Sequence, residues 1–142
     1  MLKPIVFPSP NKKHKATLNF LSEIGTEHGN YSLSIDGFPN SFGNRIFGNV
    51  CLWSHESRFL AVQEWEETDG ANPPKFYLLL IIDVVARREC LIANVEGTKG
   101  NIIPEGFMGE SVMYKVIYYG QFGTTRNFES KFQYLDGWKN LK

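Results

Sequence analysis

The chain has 142 residues, with 15 basic and 15 acidic side chains and a formal net charge of zero. That length is one domain, residues 1–142, large enough to bury a core without help from a disulfide or a metal. The charge balance argues against a nucleic-acid binder, which needs a basic excess for phosphate contacts, and no apolar run approaches the roughly 18 residues that span a membrane.

The balance conceals a pattern. Residues 1–20 hold Lys3, Lys12, Lys13 and Lys15 and no acid, whereas residues 21–70 hold eight acids against Arg45 and Arg58. The acids are densest from Glu64 to Asp69. The opening stretch MLKPIVFPSP has no apolar core of signal-peptide length, and its prolines interrupt it. The two cysteines, Cys51 and Cys90, form no C-x-x-C pair. Together these features predict a cytoplasmic protein with reduced thiols.

In chain order, the first predicted strand is His14–Leu21. The segment Ser22–Gly29 is too short and too glycine-bounded for a helix. Tyr31, Leu33 and Ile35 then alternate with polar residues, a half-exposed strand that ends in an Asp36-Gly37 turn. Strands follow at Ile46–Trp53 and Arg58–Glu66, joined to the next by the polar loop Thr68–Lys75. Phe76–Ile82 is apolar on both faces and so must be covered twice, and Val112–Tyr119 is nearly so. Arg87–Asn94 is a further strand. Glu96–Ser111 reads as a glycine-rich connection with a short strand near Ile102. Phe128, Ser130, Phe132 and Tyr134 alternate with polar neighbours as a last half-exposed strand. Frequent aromatics and turn residues every ten or so positions give an all-β fold of antiparallel sheets.

An internal repeat is visible. SPNKKHKA (Ser9–Ala16) aligns with SHESRFLA (Ser54–Ala61) at an offset of 45, with Ser first and Ala eighth in each. A weaker copy, GESVMYKV (Gly109–Val116), aligns with His55–Val62 at an offset of 54. The stretch WSHESRFLAV, Trp53 to Val62, resembles the W-S-P-D-G/S-x-x-L-A signature of WD-repeat and TolB-like propeller blades. Leu78–Glu89 resembles the next strand and hairpin of such a blade. His55 and Ser57 replace the expected Pro and Gly, and the Gly-His and Trp-Asp dipeptides are missing. At about 45 residues per blade the chain holds three, fewer than the four to eight of a closed propeller. The resemblance therefore implies a partial propeller-like or sandwich-like arrangement of about three blade-like units.

The motifs that would carry chemistry are weak. Ser54, His55, Glu56 and Ser57 are neighbours whose side chains diverge, so they read as a turn between strands. Gly109-Glu110-Ser111 lacks the closing glycine and the helix of a nucleophile elbow. Gly97–Gly100 lacks the spacing of a phosphate-binding loop. His14, His28 and His55 have no second ligand at metal spacing, and Cys51 and His55 sit about 13 Å apart if both lie along a strand. Asn11–Lys15, with Tyr118 and Tyr119 as stacking groups, is a basic run more typical of a solvated turn. No metal, cofactor or catalytic residue is assigned.

The acidic run remains. On the strand Arg58–Glu66, Glu64 and Glu66 share one face with Leu60 and Val62, while Trp65 shares the other with Phe59, Ala61 and Gln63. This reading makes Trp65 a core residue and leaves the carboxylates exposed, continued by Glu67 and Asp69. A small, all-β, catalytically empty and locally acidic chain is similar in profile to the immunity proteins of bacterial toxin–immunity systems. That similarity implies a cognate protein toxin, often a basic nuclease, occluded at its active site. The partner-binding residues expected are Glu64, Trp65, Glu66, Glu67, Asp69 and Phe76. The alternatives are a propeller-like interaction module or assembly subunit, and then a hydrolase.

Overall fold

The computed structural model of the chain describes residues 3–22, 30–39, 41–65, 77–93, 100–118 and 124–141. They form β1 (Ile5–Pro8), β2 (Lys15–Ser22), β3 (Asn30–Ile35), β4 (Phe47–Trp53), β5 (Phe59–Trp65), β6 (Tyr77–Asp83), β7 (Arg88–Ile92), β8 (Gly100–Met108), β9 (Ser111–Tyr118), β10 (Thr125–Lys131) and β11 (Lys139–Asn140). One sheet runs β1-β2-β3-β4-β5-β6-β7-β11, the other β10-β9-β8, and neighbouring strands are antiparallel throughout. Among the described residues no helix is long and apolar enough to cross a membrane.

Strand β6 organises the layers. All seven of its residues are buried. Leu80 and Ile82 face one way, opposite Val62 and Leu60 of β5. They pack with Ala16 and Leu18 of β2 and Leu33 and Ile35 of β3. The large sheet therefore folds back over itself, and among the described residues β3 pairs with β4 where Tyr31 lies opposite Phe47. Leu79 and Ile81 face the other way and pack with Ile102 of β8 and Val112, Tyr114 and Val116 of β9. Fully burying one Leu or Ile side chain stabilises by about 1.5–3 kcal/mol, so this two-sided strand carries much of the fold. The sheets do not close into a barrel.

Several expectations need correction. β9 is covered on one face only: Val112, Tyr114 and Val116 are buried, whereas Met113, Lys115 and Ile117 are half-buried. The glycine-rich connection is the nine-residue strand β8. Its glycine at position 100 suits close strand pairing, since a Cβ there would sit 2.6 Å from the Ile117 carbonyl oxygen. The last half-exposed strand begins earlier and ends at Lys131; Phe132–Tyr134 is a 3-10 turn. That turn returns Phe132 to the core but leaves Tyr134 exposed. β1 and β11 were not anticipated, because one is flanked by prolines and the other has two residues. The segment 23–29, the loop 68–75 and Gly97–Lys99 lie outside the described residues.

The repeat at offset 45 has a structural counterpart. In the β1–β2 hairpin the Ser9 amide donates to the His14 carbonyl, and Lys12 donates to the Ser9 carbonyl. In the β4–β5 hairpin Ser54 donates to Phe59 and Ser57 to Ser54 in the same way. The serine hydroxyl accepts from the His14 amide in the first and the Phe59 amide in the second. Lys12 and Ser57 occupy the left-handed region, at φ of 62° and 65°. The two turns also touch, through the Asn11 amide donating to Ser57 Oγ at 2.9 Å. Beside them Trp53 Nε1 donates to the Phe7 carbonyl at 2.7 Å.

Two stability predictions follow from this packing. Ser54→Ala strips an acceptor from the amides of Arg58 and Phe59, and chemical denaturation should register a loss of about 1–2 kcal/mol. At Gly48 an added Cβ would lie 2.9 Å from both Gln63 Oε1 and the Tyr77 ring. Gly48→Ala should therefore cost about 1–3 kcal/mol on the same assay.

Candidate functional site

The residues expected at a partner surface are only partly within view. Glu66, Glu67, Asp69 and Phe76 lie outside the described residues. Trp65 is buried and packs against Tyr77, with ring centroids 4.3 Å apart and the planes tilted by 44°. It closes the end of β5, about 20 Å along the strand from Phe59.

Glu64 differs from the exposed carboxylate expected. Its side chain is only 13% exposed. Arg45 binds it in a fork, Nε to Oε2 and Nη2 to Oε1, both at 2.8 Å. The same guanidinium donates from Nη1 to both oxygens of Glu89, at 2.8 and 2.9 Å, and lies against the rings of Phe42 and Phe47. Burial works against the charge on Arg45, but its hydrogen bonds to Glu64 and Glu89 and their negative charges outweigh that and raise its pKa. These three charges therefore tie the segment before β4 to the Trp65 end of β5 and to β7. Register explains why: β5 is buried along most of its length, so a carboxylate there needs a partner.

The Ser54–Ser57 segment forms the turn expected of it. Ser54 and Ser57 are buried acceptors for backbone amides, and His55 and Glu56 point outward as exposed residues. Cys51 and Cys90 are both free and buried, and burial pushes both thiols up in pKa. Among the described residues no group of three His, Cys, Asp or Glu side chains is placed to hold a metal ion.

A second charged cluster lies at the opposite end of β5 from Trp65, and it opens on solvent. Asp83 ends the apolar run of β6 and its side chain is fully buried. Its Oδ1 accepts from Arg58 Nε at 3.1 Å and from the amides of Val85 and Ala86 at 3.1 and 3.0 Å. Its Oδ2 accepts from Arg58 Nη2 at 2.9 Å and from Arg88 Nε at 3.4 Å. Burial alone would raise the pKa of Asp83. The hydrogen bonds from Arg58 and the Ala86 amide and the positive charge of Arg58 outweigh that and hold it below the usual carboxylate range.

The two arginines reach outward from this anchor, Arg58 41% and Arg88 37% exposed. Arg58 lies over the Phe59 ring at 5.0 Å and Arg88 over Trp138 at 4.3 Å. Between them is an open cleft of about 450 Å³. Phe59 and Phe132, stacked at 3.8 Å, form its apolar part, and Glu56 and Glu110 line it too, the charge of Glu56 acting on Arg58. Turns build it: β4–β5 supplies Glu56 and Arg58, β8–β9 supplies Glu110 through a tight reversal at Gly109, φ 58°, and the 3-10 turn supplies Phe132. The Phe132 amide donates to the Glu110 carbonyl at 2.9 Å and ties the last two together.

Sequence reasoning missed Arg58, Asp83 and Arg88. The available signal was an aspartate closing a strand apolar on both faces, followed by the bases Arg87 and Arg88. Such an acid needs paired donors. No family model, curated protein or solved structure matches this chain.

The lowered pKa of Asp83 sets a sign for pH dependence. Its stabilising effect is complete above the unfolded aspartate value of about 4 and is lost as pH falls through the lower folded value. Asp83→Asn should therefore flatten the acid limb of stability against pH below about 4 and cost about 1–3 kcal/mol at neutral pH. Denaturant titrations at a series of pH values check both.

Proposed function

We propose that this chain is a non-catalytic protein-binding protein of the cytoplasm, acting as an immunity protein that occludes the active site of a basic, nuclease-type toxin. The observation that carries the reading is the cleft at the end of β5 and β6. Its arginines are held by a buried carboxylate, a stacked pair of phenylalanines lies in its lining, and so do the carboxylates of Glu56 and Glu110. Arginine and aromatic side chains in fixed geometry are the usual anchors of a protein interface, because little freedom is lost when a partner docks. Glu56 and Glu110 supply the acidic edge that speeds encounter with a basic partner. The acidic run of Glu66, Glu67 and Asp69 offers a second contact in the same electrostatic sense.

A different observation favours self-association. β1 is an edge strand, and its Ile5 and Val6 are 37% and 50% exposed. Edge strands of this kind pair with another copy or another chain.

Affinity capture from the source cells, followed by light scattering of the purified chain, separates these readings. The immunity reading expects one stoichiometric basic protein that is toxic when expressed alone. Its association should slow about tenfold or more in a Glu56→Lys, Glu110→Lys double variant, and the slowing should shrink at high salt. A comparable loss in Glu66→Lys, Glu67→Lys alone would move the contact to the acidic run that follows Trp65 in the sequence. A dimer with no captured partner would favour the β1 edge and sink the immunity reading.

A further inference from the structure

We infer that β10 is an interaction surface for a second copy of this chain, the two strands pairing antiparallel about a two-fold axis at Phe128. The inference goes beyond the protein-binding reading above and does not depend on it.

The register of the small sheet decides which backbone groups β10 has left over. The Tyr118 amide donates to the Thr124 carbonyl and the Phe132 amide to the Glu110 carbonyl, both at 2.9 Å. In the antiparallel register between those two bonds, Arg126, Phe128 and Ser130 turn their backbone groups to β9. The N–H and C=O groups of Thr125, Asn127, Glu129 and Lys131 therefore point away from the sheet, and all four residues are exposed. Among the described residues nothing bonds to them. The other outermost strands are each blunted. The Ser9 amide bonded to the His14 carbonyl turns Pro4, Val6 and Pro8 of β1 outward, and of these only Val6 has an N–H. β8 holds Pro104, a register shift beside it, and an Ile102 carbonyl taken by Gln63 Nε2 at 2.9 Å. β11 has two residues. β10 has seven, with no proline and no bulge, and an edge without such devices is a template for a further strand.

The strand that fits this edge is β10 itself. Full antiparallel overlap sets Thr125 opposite Lys131 and Asn127 opposite Glu129, twice over, and their outward groups exchange about eight hydrogen bonds. Moving the axis to Asn127 or to Glu129 loses a pair, and the second move also sets Glu129 against its own copy. The charges agree with the full overlap. Arg126 faces Ser130, Glu129 faces Asn127 and Lys131 faces Thr125, so no charge stands directly opposite its own sign. The nearest like pair is Glu129 with its copy, diagonal and about 7–8 Å apart, and a Lys131 stands two places along the same strand from each. Phe128 makes the third match. It is half-buried and stacks on Tyr114 of β9, with centroids 5.6 Å and planes 16° apart. On the axis it meets its copy in a non-hydrogen-bonded pair, where side chains approach most closely, with Cα atoms about 4.5 Å apart. The aromatic row begun by Tyr114 and Phe128 then continues into the second copy, and two three-stranded sheets become one.

A single strand pair is at the small end of protein interfaces, so the expected dissociation constant is of the order of 100 µM. The full chain is followed by sedimentation equilibrium from about 10 µM to about 1 mM, and by amide hydrogen exchange at both ends of that range. The amides of Thr125, Asn127, Glu129 and Lys131 should exchange about three- to fivefold more slowly at the high concentration, and those of Arg126, Phe128 and Ser130 alike at both. Asn127→Pro removes an outward N–H and no bond to β9, so it should weaken the dimer about tenfold or more with the melting temperature of the monomer nearly unchanged. Thr125→Glu and Thr125→Lys change only an exposed side chain and report the register. Opposite Lys131, the first should tighten and the second loosen the dimer about two- to fivefold, both effects shrinking at high salt. A monomer throughout the concentration range would overturn the inference. So would a dimer that protects Val6 in place of Asn127 and Glu129, or a folded Asn127→Pro chain that dimerises as tightly as the native one. Shifts in the same direction for Thr125→Glu and Thr125→Lys would also overturn it.

Discussion

Strand β6 has to be covered twice, and the rest of the architecture answers that demand. Seven consecutive buried residues present one apolar row to each side. One side is met by the sheet's own first three strands, folded back over Leu80 and Ile82. The other is met by a separate three-stranded sheet through Ile102, Val112, Tyr114 and Val116. A single curved sheet would leave one of those rows in water, at about 25 cal/mol for each Å² exposed. Three layers are the consequence of one strand's composition.

The same strand decides where charge can sit. Asp83 continues the buried row of Leu79 and Ile81 by position, so its carboxylate is desolvated as theirs are. A lone buried charge is untenable, and the chain answers with two arginines and two backbone amides. One layer away, Arg45 performs the complementary task between Glu64 and Glu89. The two clusters differ in one respect. Arg45 joins two acids and lies against Phe42 and Phe47, whereas Arg58 and Arg88 share one fully buried acid and line the cleft.

Most of the fold was legible because two-residue periodicity and turn chemistry are local. Phe76–Ile82 announced a doubly covered strand, and the Ser54–Ser57 turn announced a hairpin. What was not legible depended on partners distant in the chain. Nothing near Glu64 indicates that Arg45, 19 residues earlier, will bind it. Nothing near Gly100 indicates that its missing side chain lets Ile117 approach, so glycines read as a loop turned out to lie in a strand. The cleft was hidden for the same reason. It is assembled from three turns and a strand end that are far apart in sequence and share only the end of the molecule on which they emerge.

The paired hairpin turns have a consequence for how the chain finds its fold. Two segments with the same backbone instruction, 45 residues apart, offer a folding chain two equivalent places to dock. Their composition resolves the ambiguity. The first carries Lys12 and Lys13, the second His55 and Glu56, and the native contact joins one to the other through Asn11 and Ser57. Two copies of the basic turn, meeting across separate molecules, would bring like charges together at that contact. Like charges thus disfavour the pairing of two first turns, through residues that the backbone geometry leaves free to vary.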